Sequence, residues 1–403
     1  MLHEFPAPGS NIVDHVHVDI APTEYPNELH DVLSPEMMAE ARTEIRQWQG
    51  YAPTPVHTLQ ALARELDLAE ILYKDEARRF GLGSFKALGG AYAVLKVLQG
   101  ELQSATGTSV SLADIRAGKH AEAVSQITVA SATAGNHGRS LAWGAQQAGC
   151  QCKIFIHAGV GDARKQVMES FGAEVIRVDG NYDDSVRIAA EQAEKNGWLI
   201  VSDTSYPGYT ERPRFIKAGY TVIGDEFLEQ LNGRPLPTHI LLQTGCGGLA
   251  AGVAAGLWDA LGPKLPRIIV VEPDRAPCLL LSARNGQPTN YRITDESMMV
   301  GLSCGDVSLL AWDIVSRCAS DYLAITDDGI PPAMRLLASR KAWAGRIVGG
   351  ESGVAGLAAL IDAARDQNMR GKLGLDAQSR IMLIGSEGAT SPDIYAKIVG
   401  EAA

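Results

Sequence analysis

Cysteine is sparse in this chain, and none of its six copies, at 150, 152, 246, 278, 304 and 318, has the paired CxxC spacing of a zinc ribbon or dithiol centre. Their apolar or glycine-rich settings read as reduced, buried thiols, and no metal site is expected. Positive charge is also in deficit. With 36 Lys and Arg against 47 Asp and Glu, the formal net charge is −11, and no basic stripe offsets it, which argues against nucleic acid or an anionic membrane as the main partner. No apolar run approaches the roughly 20 residues of a membrane span. The opening Met1-Leu2-His3-Glu4-Phe5-Pro6 has no cationic segment leading into an apolar one, so we expect a cytoplasmic protein. Solenoid repeats, low-complexity tracts and long Pro/Gly/Ser linkers are missing too, and any domain boundary has to be inferred. His15 and His17 share a strand face but lack a third ligand, and they read as an exposed strand face.

What is present is a globular composition, 46% hydrophobic and 21% charged over 403 residues, enough for two domains with separate cores. From Thr128 onward, strand-like runs alternate with helical ones, the pattern of parallel sheets with crossover helices. Ile127-Thr128-Val129-Ala130-Ser131 precedes a helix beginning near Asn136, Cys152-Lys153-Ile154-Phe155-Ile156 precedes one from Asp162 to Phe171, and Val175-Ile176-Arg177-Val178 precedes a third. In the third, Val186, Ala189, Ala190 and Ala193 recur at helical spacing and predict a small apolar face. Trp198-Leu199-Ile200-Val201-Ser202 closes this block. Runs at 238–243, 267–271 and 380–384 predict a second sheet. Ahead of both lie a proline-rich entry, a helix around 35–49 and a strand at 71–74.

Three strand-to-helix turns carry the candidate chemistry. Lys86 sits in Gly81-Leu82-Gly83-Ser84-Phe85-Lys86-Ala87-Leu88-Gly89-Gly90, where burial among Phe85, Leu88 and Tyr92 would lower its pKa and suit it to Schiff-base formation with an aldehyde cofactor. Alone, it reads more readily as a solvated helix lysine. Gly245-Cys246-Gly247-Gly248-Leu249 follows an apolar strand and opens a helix, the form of a phosphate cradle. The same residues with Ala250 satisfy G-x-G-x-x-A, and Glu272 stands where a nicotinamide enzyme would hold a ribose. A second anion-type turn, Thr133-Ala134-Gly135-Asn136-His137, favours the first interpretation, because a dehydrogenase has no use for two such turns and a hinged lysine. By itself that turn is also a plain helix start capped by Asn136. Asp203 and Ser386 fall at strand ends, where α/β active sites are built, although a helix-entry cap and an ordinary turn are their bland counterparts. Asp183 and Asp184 read as structural first-turn acids.

Tyr51-Ala52-Pro53-Thr54-Pro55-Val56, Lys74-Asp75-Glu76 through Lys86, and the turns at 131–137 and 245–249 together resemble the fold-type-II pyridoxal-phosphate enzymes. Arg79 through Gly90, Gly180-Asn181-Tyr182-Asp183-Asp184-Ser185-Val186-Arg187, and Asp203 with Gly208-Tyr209-Thr210 look like the diaminopropionate ammonia-lyase branch. The resemblance implies an α/β fold of two open twisted domains with mostly parallel sheets and the active site between them. Residues 1–87 and 213–403 would form the large cofactor-binding domain, and 88–212 a smaller α/β domain inserted in it. It implies a homodimer that uses pyridoxal 5'-phosphate to eliminate a β-substituent from a small amino acid, giving pyruvate and ammonia.

Carried over residue by residue, Lys86 is the Schiff-base lysine and Cα base, Phe85 packs near the pyridine ring, and Asn136 bonds the phenolic oxygen. Gly245, Cys246, Gly247, Gly248 and Leu249 hold the phosphate, and Ser386 bonds a neutral pyridine nitrogen. Thr133, Ala134, Gly135, Asn136 and His137 take the substrate carboxylate, and Asp203 attracts its β-ammonium. The chain departs from the lyase pattern at Ala134, where lyases acting on both stereoisomers carry an aspartate as second base. That implies an L-selective lyase. A dehydratase of a β-hydroxy amino acid is the main alternative, a non-catalytic amino-acid-binding relative another, and a nicotinamide oxidoreductase a distant one.

Overall fold

The computed structural model describes residues 1–133 and 135–401. It comprises two compact units. One contains Met1–Ser34, Ala52–Phe85 and Ile223–Ala403, the other Pro35–Tyr51 and Lys86–Val222.

The first unit is built on a seven-stranded sheet. Five parallel strands form its middle, in the order Ala319–Ile325, Arg267–Pro273, His239–Gln243, Arg380–Gly385 and Glu70–Asp75. Antiparallel edge strands flank them, Ile12–His17 on one side and Val56–Thr58 on the other. Ile268, Ile269, Val270 and Val271 are all buried, as expected of a parallel strand covered on both faces. Helix Gly248–Leu261 is buried from Leu249 to Trp258, which explains its lack of a polar face. The expected exposed face holds for His17, whose side chain is half exposed, and not for His15, which is mostly covered. Both side chains turn to Asp321 Oδ1, at 2.9 and 3.0 Å, where the buried carboxylate also receives Arg267 Nε at 2.7 Å.

The second unit holds a four-stranded parallel sheet in the order Glu174–Val178, Gln151–His157, Thr128–Ala132, Leu199–Ile200. Helix Tyr182–Asn196 starts with a capping box, Asn181 Oδ1 accepting Asp184 N–H and Asp184 Oδ2 accepting Asn181 N–H, both at 3.0 Å. Its buried face differs from the predicted one. Ser185, Ala189 and Ala193 face inward, whereas Val186 and Ala190 are exposed. The stripe runs at i, i+4, i+8, with Ile188 packed beside Phe155, Val178 and Ala189.

Helices Lys86–Thr106, Asn136–Ala148 and Glu211–Leu231 meet through glycines. A Cβ on Gly144 would lie 2.6 Å from Ala91 Cα, and one on Gly219 would strike the Leu88 carbonyl. Backbone therefore packs almost directly on backbone.

The units divide the chain differently from the predicted boundaries in three places, the smallest being Lys86 and Ala87, which open helix Lys86–Thr106 and go with the second unit. Residues 35–51 belong with the second unit because Glu40 of helix Pro35–Ile45 receives Tyr92 Oη at 3.0 Å and Lys96 Nζ at 2.8 Å, and Glu44 pairs with Arg116. The later boundary lies at 222/223 and not at 212/213, since helix Glu211–Leu231 continues unbroken and its residues 216–220 lie against Gly89.

Candidate active site

The segment leading to Lys86 is fixed from below by buried charge. Arg79 is 1% exposed and Glu226 not at all, and the two pair through both guanidinium nitrogens at 2.7 and 2.8 Å. Arg79 Nε also donates to Glu76 Oε2 at 2.8 Å, and Lys74 Nζ to Glu226 Oε2 at 2.6 Å. Two cations thus neutralise two anions. Burial alone would raise the Glu226 pKa, but the Arg79 and Lys74 charges and hydrogen bonds hold it below the ordinary range. Above this network the chain turns through Phe80, at φ +50°. It then runs alongside residues 386–388: Ser84 bridges Glu387, Gly388 N donates to Gly83 O at 2.9 Å, and Phe85 N donates to Ser386 O at 3.0 Å.

In the second unit, Lys86 opens helix Lys86–Thr106, and its carbonyl accepts Ser140 Oγ at 2.7 Å. Nζ lies 2.5 Å from Asp203 Oδ2 and 6.0 Å from the Tyr220 ring centroid. Phe85, Leu88 and Tyr92 are buried as expected, and the Lys86 side chain itself is 21% exposed and meets a carboxylate. Burial works to raise the Asp203 pKa, yet the charges of Lys86, His137 and Lys217, with the Lys86 hydrogen bond, hold it well below the usual carboxylate range.

Helix Asn136–Ala148 starts beside this pair in the same unit, its first residues tied to Lys86 through Ser140. Gly135 stands at the cap position and contributes no side chain, so Asn136 is the first helical residue and not the cap. Thr133 and Asn136 are half-buried. The His137 ring turns inward, Nε2 lying 2.9 Å from Val201 O. Ala134 lies outside the described residues.

In the first unit, strand His239–Gln243 leads into the glycine turn. Gly247 adopts φ +104°, and a Cβ there would lie 2.6 Å from Ala311 Cβ. Gly245 is equally confined, with Leu302 O 3.0 Å from its would-be Cβ. Helix Gly248–Leu261 has no side-chain cap, so its first N–H groups remain suited to an anion such as a phosphate. Cys246 is half-buried and Leu249 buried. Gln243 Nε2 donates to Ile384 O at 2.6 Å and to Ser386 Oγ at 3.2 Å, linking the glycine turn to Ser386. With one lone pair so occupied, the buried Ser386 hydroxyl keeps its O–H for donation, as bonding a neutral pyridine nitrogen would require.

Glu272 serves a different purpose from ribose binding. It is fully buried, accepts Leu279 N–H at 2.8 Å and Leu280 N–H at 2.7 Å, and so caps helix Cys278–Asn285. Burial pushes its carboxyl up to about 8. A nicotinamide site loses its ribose ligand, and the oxidoreductase reading falls with it.

Two features escaped the sequence reading. The Glu226 partner of Arg79 sits mid-helix, 147 residues away, with no local pattern to mark it. Three cysteines far apart in sequence also gather at the glycine turn. Cys278 Sγ approaches Gly245 O at 3.7 Å, and the Cys304 thiol is raised by its hydrogen bond with Cys246 and by burial. All are free thiols.

Residues 47–386 match the family model described as pyridoxal-phosphate dependent enzyme. The chain is 36% identical over 390 residues to the diaminopropionate ammonia-lyase of Escherichia coli (strain K12), covering 95% of this chain and 96% of that protein. To the enzyme of that name from Salmonella typhimurium (strain LT2) it is 38% identical over 357 residues, 87% of this chain and 88% of the relative. The crystal structure of selenomethionine-incorporated holo diaminopropionate ammonia lyase from Escherichia coli superposes with a TM-score of 0.87 at 34% identity, covering 98% of both chains. With a lysine-carboxylate pair, two uncapped helix starts and a match over most of its length, this chain belongs to the pyridoxal-phosphate-dependent enzymes of fold type II.

Proposed function

We propose that the protein is an ammonia-lyase converting L-2,3-diaminopropionate and water to pyruvate and two molecules of ammonia. The observation that carries this reading is the 2.5 Å pairing of Lys86 Nζ with Asp203 Oδ2. It sets a proton-accepting amine beside a carboxylate suited to a second, substrate-borne ammonium. The relatives that share the chain's length are lyases of this substrate by name.

The residues fit the cofactor: a glycine cradle that a Cβ would fill, an uncapped helix start, and a serine hydroxyl in place of an acid. When bound, pyridoxal phosphate supplies the electron sink for the pair left by Cα–H cleavage. Lys86 would carry it, and the lysine's free amine would take the Cα proton. Gly245, Cys246, Gly247, Gly248 and Leu249 would hold its phosphate through backbone donors, Phe85 would pack by its ring, Asn136 would bond its phenolic oxygen and Ser386 its pyridine nitrogen. Backbone N–H groups at 133–137 bind the substrate carboxylate. Asp203 draws in the β-ammonium, which leaves as ammonia when the Cα–Cβ double bond forms. The released enamine hydrolyses to pyruvate and the second ammonia.

Ala134 has no proton to exchange, so the D-isomer finds no base on its side and the enzyme is L-selective. The same small residue supports a second reading, dehydration of a β-hydroxy amino acid. The protein acts as a homodimer, and its six free thiols fit the reducing cytoplasm.

Pyruvate release by the holoenzyme from L-diaminopropionate, D-diaminopropionate and L-serine, and 2-oxobutyrate release from L-threonine, test the reading. L-diaminopropionate is expected to be the best substrate. Faster turnover of serine or threonine would install the dehydratase instead, and robust turnover of the D-isomer would refute the stereochemical assignment.

A further inference from the structure

The strand that delivers Asp203 is two residues long, Leu199–Ile200. Val201 N still donates to Ala130 O of the neighbouring strand at 2.8 Å, and the chain then leaves the sheet with its functional carboxylate only two residues further on. Here a side chain takes over as the backbone's partner. Tyr209 Oη accepts Ser202 N–H at 2.8 Å and donates to Ile200 O at 3.0 Å, spanning the two residues on either side of the departure point. Arg212 Nη1 reaches the same Ile200 carbonyl at 2.6 Å.

The phenol is itself held in place. Tyr206 and Tyr209 exchange backbone hydrogen bonds at 3.3 and 2.9 Å around a turn in which Gly208 takes φ +84°, and their rings stack with centroids 5.0 Å apart and planes 20° from parallel. Burial pushes the Tyr209 phenol up to about 12, so it keeps the proton it donates to Ile200 at working pH.

We propose that Tyr209 is a positioning residue for the elimination: by clamping Ile200 O and Ser202 N–H it fixes the backbone that presents Asp203 to Lys86. The inference rests on the role proposed for Asp203. Without the phenol, Arg212 still secures Ile200 O, but the Ser202 amide loses its acceptor and the carboxylate is no longer registered on the amine. A misplacement of about 1 Å at a reacting group costs on the order of a hundredfold in rate.

The test compares holoenzyme of wild type, Tyr209→Phe, Asp203→Asn and the double variant on L-diaminopropionate. Tyr209→Phe is expected to lower kcat by about ten- to a hundredfold, with KM and the visible absorption of the lysine-bound cofactor unchanged. The double variant should be no slower than Asp203→Asn alone. A lowered melting temperature with undiminished kcat would make Tyr209 merely structural and overturn the proposal, as would losses that multiply in the double variant. If Asp203→Asn itself leaves turnover intact, the assignment of Asp203 fails and takes this inference with it. A silent Tyr209→Phe beside a crippled Asp203→Asn overturns the inference alone.

Discussion

Arg79 and Glu226 meet in a two-pronged, solvent-free ion pair, with Arg79 seven residues ahead of Lys86 in sequence, and Lys74 and Glu76 complete its neutrality. Such a set is tolerated only while every charge is paired, because removing one partner leaves the other buried and uncompensated. Glu226→Gln is therefore expected to destabilise the protein by about 3–5 kcal/mol, read as the urea-denaturation midpoint. An unchanged midpoint would mean that water reaches this network.

Lys86→Ala is expected to abolish both pyruvate production and the visible absorption of purified protein carrying the cofactor, with circular dichroism unaltered. The Ser140 bond is to the Lys86 carbonyl and survives the substitution. Retention of the visible band in the variant would place the covalent attachment elsewhere.

At Gly247 an added methyl group meets both a left-handed φ and the Ala311 side chain. A non-glycine residue in that backbone region costs about 1–2 kcal/mol, and relief by backbone rotation would turn the cradle's N–H groups away. Gly247→Ala should lose cofactor on dilution far more readily than wild type, measured as the dissociation constant from fluorescence titration. Unaltered affinity would show that the phosphate is held by other donors.

Glu272 has a folded-state pKa of about 8, above its ordinary value of 4.5. The folded protein thus binds a proton that the unfolded chain releases between those limits. This contribution to stability is complete below pH 4.5 and declines as pH rises towards 8. Glu272→Gln keeps an acceptor for one of the two amides and removes the titration. Its melting temperature should fall less between pH 5 and pH 8 than that of wild type; parallel declines would mean that Glu272 does not set this pH dependence.

Much of the fold and the site was readable in the chain because parallel strands buried on both faces, such as 268–271, are continuous β-branched runs, and because a glycine turn between a strand and a helix brings backbone N–H groups together at one point. Lys86, Asp203 and the turn at 245–249 stand out for that reason. Other features were not readable. In helix Tyr182–Asn196, alanines occur on both faces, and their small size gives the periodicity too little contrast to separate Ala189 from Ala190. Residues 35–51 are tied to the second unit by side chains such as Glu40 and Glu44, whose partners lie 52 to 72 residues away. No local pattern reveals a partner at that separation. The pairing of Lys86 with Asp203 was equally hidden, because an apolar neighbourhood in sequence does not disclose a carboxylate from 117 residues further on.

The glycine contacts at Gly144 and Gly219 bear on how this enzyme can change its chemistry. Where helices touch backbone to backbone, the Lys86 helix has no room to slide or tilt to suit a bulkier substrate, so all adjustment at the amine proposed to react falls to the lysine's methylenes and their rotamers. Selection or engineering for a new leaving group would then act on the loop that bears Asp203, leaving the lysine's mounting as the invariant frame against which other substrates are accepted or refused.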